Sequence, residues 1–368
     1  ATKNYFVINL MNQFWYGLVI FMLGFLSSFF LTPKIIKFCR AFNLTDQPSE
    51  RKIHQKPTAR AGGIAIFISF WLIISIMYLA DPGSLRFVPS KIVGIDKNLL
   101  GVFIGALILF LSGLWDDIKG LKPGVKILFQ TAGGVALVLF GVKINWFANP
   151  LGGLNIEIGA WTYIFVPLWV VLIVNVVNWL DGVDGLATGV GFIASLVLAF
   201  LSLAPYVNQA STAILALVLA GTLFGFLIFN FNPAKIFMGD SGSQFLGFML
   251  ATFAIVSGGK LFTAALVLGL PILDALWVIV RRIANKKTPW VADRLHLHHR
   301  FLDAGFSQRQ TVIIMYAISA IFGMIALTTR TEGKVQAALC LLILTIALGA
   351  WLVVKKIKIT KQIQNNAR

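Results

Sequence analysis

The sequence predicts an all-α, polytopic integral membrane protein of about eleven transmembrane helices, and three observations carry that reading. Of 368 residues, 58% are hydrophobic and only 12% are charged, whereas an ordinary soluble domain is about a quarter charged. Mean hydropathy is +0.84. Eleven apolar runs follow one another, each near the roughly 20 residues that a spanning helix needs. No soluble domain, repeat or low-complexity linker interrupts them, so residues 1–368 read as a single transmembrane domain.

In chain order the runs fall at about 12–32, 62–80, 98–115, 126–142, 161–178, 187–204, 211–229, 242–258, 261–280, 311–328 and 335–354. The first is long enough to span the bilayer and remain, unlike a cleaved leader. Gly and Pro inside the runs are compatible with spanning, because neighbouring helices satisfy freed backbone groups. Cys39 lies in a basic stretch and Cys340 in an apolar one, so no disulfide framework is expected. The longest polar segments are about 33–61 and 281–310.

Orientation follows from where the cations fall. Of 31 Lys and Arg, 23 lie in the loops after the odd-numbered runs and in the C-terminal tail, against 8 in the remaining loops and the N-terminus. Basic loops stay on the cytoplasmic side, so the N-terminus is expected outside and the C-terminus inside. The formal charge of +17 then suits a membrane surface or an anionic substrate; no nucleic-acid partner is expected.

The unusual polar clusters all occupy those cytoplasmic loops, within about 33–61, 116–126, 178–187, 230–243 and 281–310. Asp116 and Asp117 follow the C-terminal end of the third run, where the helix dipole disfavours negative charge. A solvated pair would be the plain explanation, but two adjacent carboxylates there call for a cation or a proton. Asn175, Asn178, Asp181 and Asp184 form an N-x-x-N-x-x-D-G-x-D segment. Asp-Gly pairs favour turns by themselves, yet Asn at membrane depth is costly without partners. Oxygen donors of this kind suit Mg²⁺. Gly239-Asp240-Ser241-Gly242-Ser243 precedes the eighth run. Asp240 or Ser241 could simply cap that helix, or its free N–H groups could receive a phosphate.

Three of the four histidines, His296, His298 and His299, share one loop with Arg294 and Arg300. Zinc is the obvious alternative, but the spacing lacks thiols and an i, i+4 pair. The flanking arginines favour a phosphate over a metal cation. Charge balance adds a constraint. Asp116, Asp117, Asp181, Asp184 and Asp240 gathered at one site would repel one another and any phosphate. A divalent cation bridging carboxylate and phosphate oxygens resolves both conflicts, with Lys126 supplying further positive charge. Together these groups specify phosphoryl chemistry better than proton transport.

These motifs resemble the polyprenyl-phosphate N-acetylhexosamine-1-phosphate transferases. The resemblance rests on D-D-x-x-G-L (Asp116 to Leu121), N-x-x-N-x-x-D-G-x-D-G-L (Asn175 to Leu186), F-M-G-D-x-G-S (Phe237 to Ser243) and H-x-H-H (His296 to His299), in family order. The His loop, continuing through Gly305 to Val312, is similar to the bacterial WecA/TagO-like branch. The resemblance implies UDP-N-acetylglucosamine (UDP-GlcNAc) as donor and undecaprenyl phosphate as acceptor, at the cytoplasmic face of a bacterial inner membrane. Lipid-linked GlcNAc pyrophosphate and UMP would be the products, starting O-antigen, lipopolysaccharide or teichoic acid synthesis.

Carried over by position, the resemblance implies Asp240 and Asn178 as ligands of Mg²⁺ (Mn²⁺ is the alternative). It implies Asp116, Asp117 and Asp240 as catalytic groups, the aspartate pair acting on the lipid phosphate. Lys126 would contact phosphate; Asp184 and the adjoining Gly185-Leu186 backbone would read uracil, with Phe237 stacked on it, and Asp181 would be a further substrate-binding residue. Arg294, His296, His298 and His299 would hold the sugar and its phosphate. Homodimers are expected from the resemblance alone. A secondary transporter would instead place its ionisable groups near the bilayer midplane. Only Asp274, deep in the ninth run after Pro271, fits that description; a structural partner for a cation or Asn is expected there. A CDP-alcohol phosphotransferase would need D-G-x-x-A-R, and Asp181-Gly182 is followed by Val183-Asp184-Gly185-Leu186 instead.

Overall fold

The computed structural model describes residues 2–47, 57–147, 149, 155–256, 261–286, 296–329 and 331–366. The protein is a helical bundle, as the sequence predicts. Helices α1 (Thr2–Ala41), α2 (Gly63–Ala80), α3 (Lys97–Lys119), α4 (Pro123–Leu139) and α5 (Thr162–Leu180) lead into α6 (Leu186–Leu203), α7 (Ala210–Asn230) and α8 (Gly239–Val256). Helices α9 (Leu261–Val267), α10 (Gly269–Ala284), α11 (Leu297–Asp303), α12 (Gln308–Thr328) and α13 (Thr331–Asn366) complete it. Among the described residues eight helices are long and apolar enough to cross a membrane, or nine if α9 and α10 form one span. Among the described residues each of the eleven expected runs falls on helix over most of its length, but α4 has only 17 residues, ending at Leu139, and α8 opens on a polar turn.

The ninth run departs from expectation. In place of one straight span over 261–280, α9 and α10 meet at an angle of 81°. Gly269 and Pro271 at the start of α10 explain the break, since proline cannot donate the backbone hydrogen bond that would continue α9. Beyond the bend, α10 carries Asp274 to the His loop.

Local chemistry fixes other helix ends. Asp96 caps α3 by accepting from Asn98 and Leu99 N–H at 2.9 and 3.1 Å. Pro123 occupies the first turn of α4, where its missing N–H costs nothing. Ser307 and Gln310 form a reciprocal capping box on α12.

Helix α8 is the axis of the bundle. Every residue from Ser241 to Ile255 is buried, and α2, α3, α5 and α6 pack around it. By contrast, α1 and α13 leave large apolar side chains such as Trp15, Phe30, Trp351 and Val354 exposed, as befits a bilayer-facing surface. The C-terminal ends of α3, α5 and α7 and the N-terminal ends of α2, α4, α6 and α8 share one end of the bundle. There a two-residue hairpin, β1 (Thr45–Asp46) with β2 (Thr58–Ala59), reaches the α7–α8 connection through a parallel bridge from Ala59 to Ile236.

Candidate active site

Asp117 anchors the site. It stands in the last turn of α3, and its carboxylate accepts from the Asp240 N–H at 2.8 Å, the Ser241 N–H at 3.0 Å and the Ser241 hydroxyl at 2.7 Å. It therefore caps the N-terminus of α8, which a carboxylate stabilises both by hydrogen bonding and through the helix dipole. Neither sequence expectation for this helix end holds: Asp240 and Ser241 are the capped residues, and the anion at their N–H groups is the protein's own. Gly239 makes the turn possible. Its φ is +73°, and a Cβ there would lie 2.4 Å from the Arg60 carbonyl and 2.7 Å from the Asp117 carboxylate.

The capped turn presents Asp240 to three donors. Asn178, from the last turn of α5, donates to Asp240 Oδ1 at 2.6 Å and to the Ser243 hydroxyl at 2.8 Å. Lys126 Nζ lies 3.3 Å from Asp240 Oδ1 and also pairs with Asp116. Arg60 contacts Asp240 Oδ2 and Asp117 Oδ1, both at 3.2 Å. Burial works against charge on Arg60, but the Asp117 and Asp240 carboxylates more than offset that and raise its pKa. Asp116 additionally accepts from the Leu121 N–H at 2.5 Å. So Asp116, Asp117, Lys126, Asn178 and Asp240 form one connected network, as their loops suggested. Arg60 belongs to it too, although nothing in its spacing distinguishes it within the basic 33–61 segment.

Asp181 lies just past α5. Burial, and then the negative charges of Asp240, Asp117 and Asp184, push its pKa well above the usual carboxylate range. It thus feels the same cluster. Asp184 accepts from Asn232 Nδ2 at 2.9 Å and from the Ala234 N–H at 3.0 Å, fastening the α7–α8 connection. The Leu186 side chain is fully buried, and its N–H donates to the Val183 carbonyl at 3.0 Å. Phe237 is half-buried, its backbone pinned to Ala59 and Gly62.

The His loop docks on the end of α5. His296 lies against Trp179, ring centroids 6.0 Å apart, and His298 is stacked parallel to His296 at 5.7 Å. His298 is buried against Gly182, where a Cβ would come within 2.7 Å of its Nε2. Burial, then the neighbouring His299 and His296, drive its pKa well below the usual value; His298 is a neutral wall. His299 touches the His298 ring at 4.4 Å. Arg294 lies outside the described residues.

Asp274 is the residue that sequence reasoning under-read. Its carboxylate holds His296 Nδ1 at 2.8 Å and the Leu297 N–H at 2.8 Å, fixing both the ring and the start of α11. The expected partner was a cation or Asn; a histidine 22 positions away fills that place. The Asn175–Gln130 bond at 2.7 Å was equally hidden, though Gln130 inside an apolar run was a signal, since buried amides require partners.

The residues present fit a divalent cation in a limited way. Among the described residues no three His, Cys, Asp or Glu side chains form a metal-holding group. Asp240 and Asn178 are adjacent, however, and among the described residues Arg60 and Lys126 are the cations paired with Asp116, Asp117 and Asp240. Mg²⁺ commonly takes one or two protein oxygens and completes its shell with water and substrate phosphate, so this donor set suits it with substrate present.

Residues 99–258 match the model of glycosyl transferase family 4. The chain is 33% identical to a Bacillus subtilis (strain 168) protein named "Probable undecaprenyl-phosphate N-acetylglucosaminyl 1-phosphate transferase", over 85% of each chain. It is 31% identical to a Mycobacterium tuberculosis (strain CDC 1551 / Oshkosh) decaprenyl-phosphate N-acetylglucosaminephosphotransferase, over 78% of this chain and 76% of that one. It is also 32% identical to a Clostridium beijerinckii (strain ATCC 51743 / NCIMB 8052) phospho-N-acetylmuramoyl-pentapeptide-transferase, over 83% of this chain and 93% of that one.

Proposed function

The chain belongs to the polyprenyl-phosphate N-acetylhexosamine-1-phosphate transferases, and on that premise we propose that it transfers GlcNAc-1-phosphate from UDP-GlcNAc to undecaprenyl phosphate. UMP and lipid-linked GlcNAc pyrophosphate are the products, the latter a starting unit for cell-envelope polysaccharide or teichoic acid. The observation that carries this reading is the junction where Lys126 and Arg60 join Asp116, Asp117 and Asp240. Paired cations held in place by carboxylates can be handed to phosphate oxygens when an anionic substrate arrives. Family relatives named for GlcNAc transfer favour that sugar. The excess of cations in the loops at this end supports a cytoplasmic site in the inner membrane. A homodimer remains part of the proposal.

In the reaction, an oxygen of the lipid phosphate attacks the sugar-linked phosphorus. The P–O bond to the UMP phosphate breaks, and UMP leaves with the electron pair. Lys126 and Arg60 orient the phosphates and balance charge as it shifts to the leaving group. Asp116, which shares Lys126 with Asp240, accepts a proton from the lipid phosphate in this reading. Asp117 acts by holding α8 and hence Asp240. Asp240 and Asn178 would hold Mg²⁺, which supplies charge neutralisation across the phosphates when bound. Asp181, Asp184 and Leu186 border the nucleoside, Phe237 offers a ring to uracil, and Arg294, His296, His298 and His299 bound the sugar phosphate.

A covalent aspartyl mechanism is disfavoured for Asp117, whose two oxygens already accept from Asp240, Ser241 and Arg60. The test is UMP release by purified protein given UDP-GlcNAc, undecaprenyl phosphate and Mg²⁺. Release should require the lipid and stop in EDTA, with Mg²⁺ or Mn²⁺ restoring it. UMP exchange into UDP-GlcNAc without lipid would overturn direct attack. Preference for a UDP-N-acetylmuramoyl-pentapeptide would overturn the sugar assignment.

A further inference from the structure

Arg300 leads away from the phosphate cluster where its sequence position had put it. Its Nη1 lies 3.6 Å from where a Cβ on Gly349 of α13 would sit. Here it lines a pocket of about 320 Å³ with Trp277 and Arg281 of α10, Asp303 of α11, and Leu352, Val353 and Lys356 of α13. Trp277 and Arg281 are one turn apart, and both are exposed. Lys356 pairs with Asp303 at 2.8 Å. Among the described lining residues, three bases and one acid carry a formal charge of +2, and the rest of that lining is indole and aliphatic.

Snorkelling alone would spread such cations along the membrane edge. Here they come from three separate helices and converge on one cavity, at the end of the bundle that carries the His loop. Guanidinium groups match phosphate geometry with paired donors. Basic pockets between spanning helices on the cytoplasmic side suit lipid headgroups, and Trp favours the interface. The apolar wall of Trp277, Leu352 and Val353 has no use for free phosphate but would receive an acyl chain.

We propose that this pocket binds the phosphodiester headgroup of an anionic phospholipid, the phosphate on Arg281, Arg300 and Lys356 and the chains along Trp277 and Val353. Occupancy joins α10, α11 and α13 behind the His loop. Helix α10 carries Asp274, the holder of His296, and α13 is already tied nearby by Lys355 over the Phe306 ring at 3.8 Å. The bound lipid therefore steadies the loop from outside the catalytic cluster.

The test is lipid retention by the full-length protein, measured by native mass spectrometry after exposure to phosphatidylglycerol or phosphatidylcholine. Wild type should keep one phosphatidylglycerol per chain with about tenfold preference, equivalent to roughly 1.4 kcal/mol. The triple variant Arg281→Gln, Arg300→Gln, Lys356→Gln should lose that preference. Asp303→Asn, which removes the one acid among the described lining residues and releases Lys356, should retain phosphatidylglycerol at least as tightly, and it decides the matter if the triple variant does not fold. Equal retention of both lipids by wild type, unchanged preference in the triple variant, or weakened retention in Asp303→Asn would overturn the proposal. So would displacement by millimolar inorganic phosphate, which would mark a free-phosphate site. Displacement by equimolar undecaprenyl phosphate would also overturn it, marking an acceptor site instead.

Discussion

Replacing Asp117 with Asn separates a positioning role from a direct one. The substitution keeps size and shape but exchanges one carboxylate oxygen for an NH₂. In the protein each oxygen receives two donors: Oδ1 takes the Asp240 N–H and Arg60, and Oδ2 takes the Ser241 N–H and hydroxyl. Whichever way the amide turns, its NH₂ faces donors. The Asp117 side chain is 2% exposed and Arg60 is 38% exposed, so the ion pair with Arg60 is partly screened and counts for little. The buried cap matters more. Losing two hydrogen bonds to a charged acceptor costs about 3 kcal/mol or more, softened where the Ser241 hydroxyl can rotate. For a chain of this size that lowers the melting temperature by about 5 °C. A displaced first turn of α8 moves Asp240, and a misplacement of about 1 Å costs on the order of a hundredfold in rate. Thermal unfolding in detergent, followed by UMP release from UDP-GlcNAc, reads both quantities on one preparation. A melting point within about 1 °C of wild type, with activity lost, would refute the capping argument and return Asp117 to direct chemistry.

Further outcomes follow from the same geometry. Asp274→Asn should reduce kcat/KM for the sugar nucleotide about tenfold, since a lost hydrogen bond to a charged group is worth about 1.5 kcal/mol or more; unchanged kinetics would show that His296 needs no orienter. Gly239→Ala should be nearly inactive and poorly folded, because its Cβ meets the Arg60 carbonyl and the Asp117 carboxylate at φ +73°. Gly120→Ala, with a similar φ but nothing within 4 Å, should cost only about 1–2 kcal/mol of stability; equal damage at both positions would contradict the close-approach argument. Asp181 has a pKa raised above its unfolded value, so the folded state binds more protons in that interval. In chelator, stability should therefore fall as pH rises from the ordinary Asp pKa through the raised one. Asp181→Asn should flatten that fall, and an unaltered pH–stability curve would count against the assignment.

Much of the site was legible because chain chemistry announces it. Asp116, Asp117, Asn178 and Asp240 are polar groups at the ends of apolar runs, where each carries an energetic cost that only a partner removes. Their helices end on the same side, so their convergence followed from alternation alone. Arg60 was not legible. It is one of several cations in a basic loop, and only the bridge from Ala59 to Ile236 carries it to Asp117 and Asp240. Asp274 was visible as a lone acid, but its partner lies beyond a bend that Gly269 and Pro271 permit without dictating its direction. Arg300 shows the opposite error. Adjacency to His299 suggested a shared phosphate, yet neighbouring residues on a helix point about 100° apart, and Arg300 turns to α13 instead.

By itself, then, the sequence determined the all-α membrane class, the family and the set of loops that bear the chemistry, because hydropathy, helix length and motif spacing are local properties of the chain. Tertiary structure alone decided which carboxylate caps α8, which cations reach the aspartates and which histidine stays neutral. Those outcomes depend on helix packing, bends and burial, and side chains distant in sequence meet only when the bundle brings their helices together.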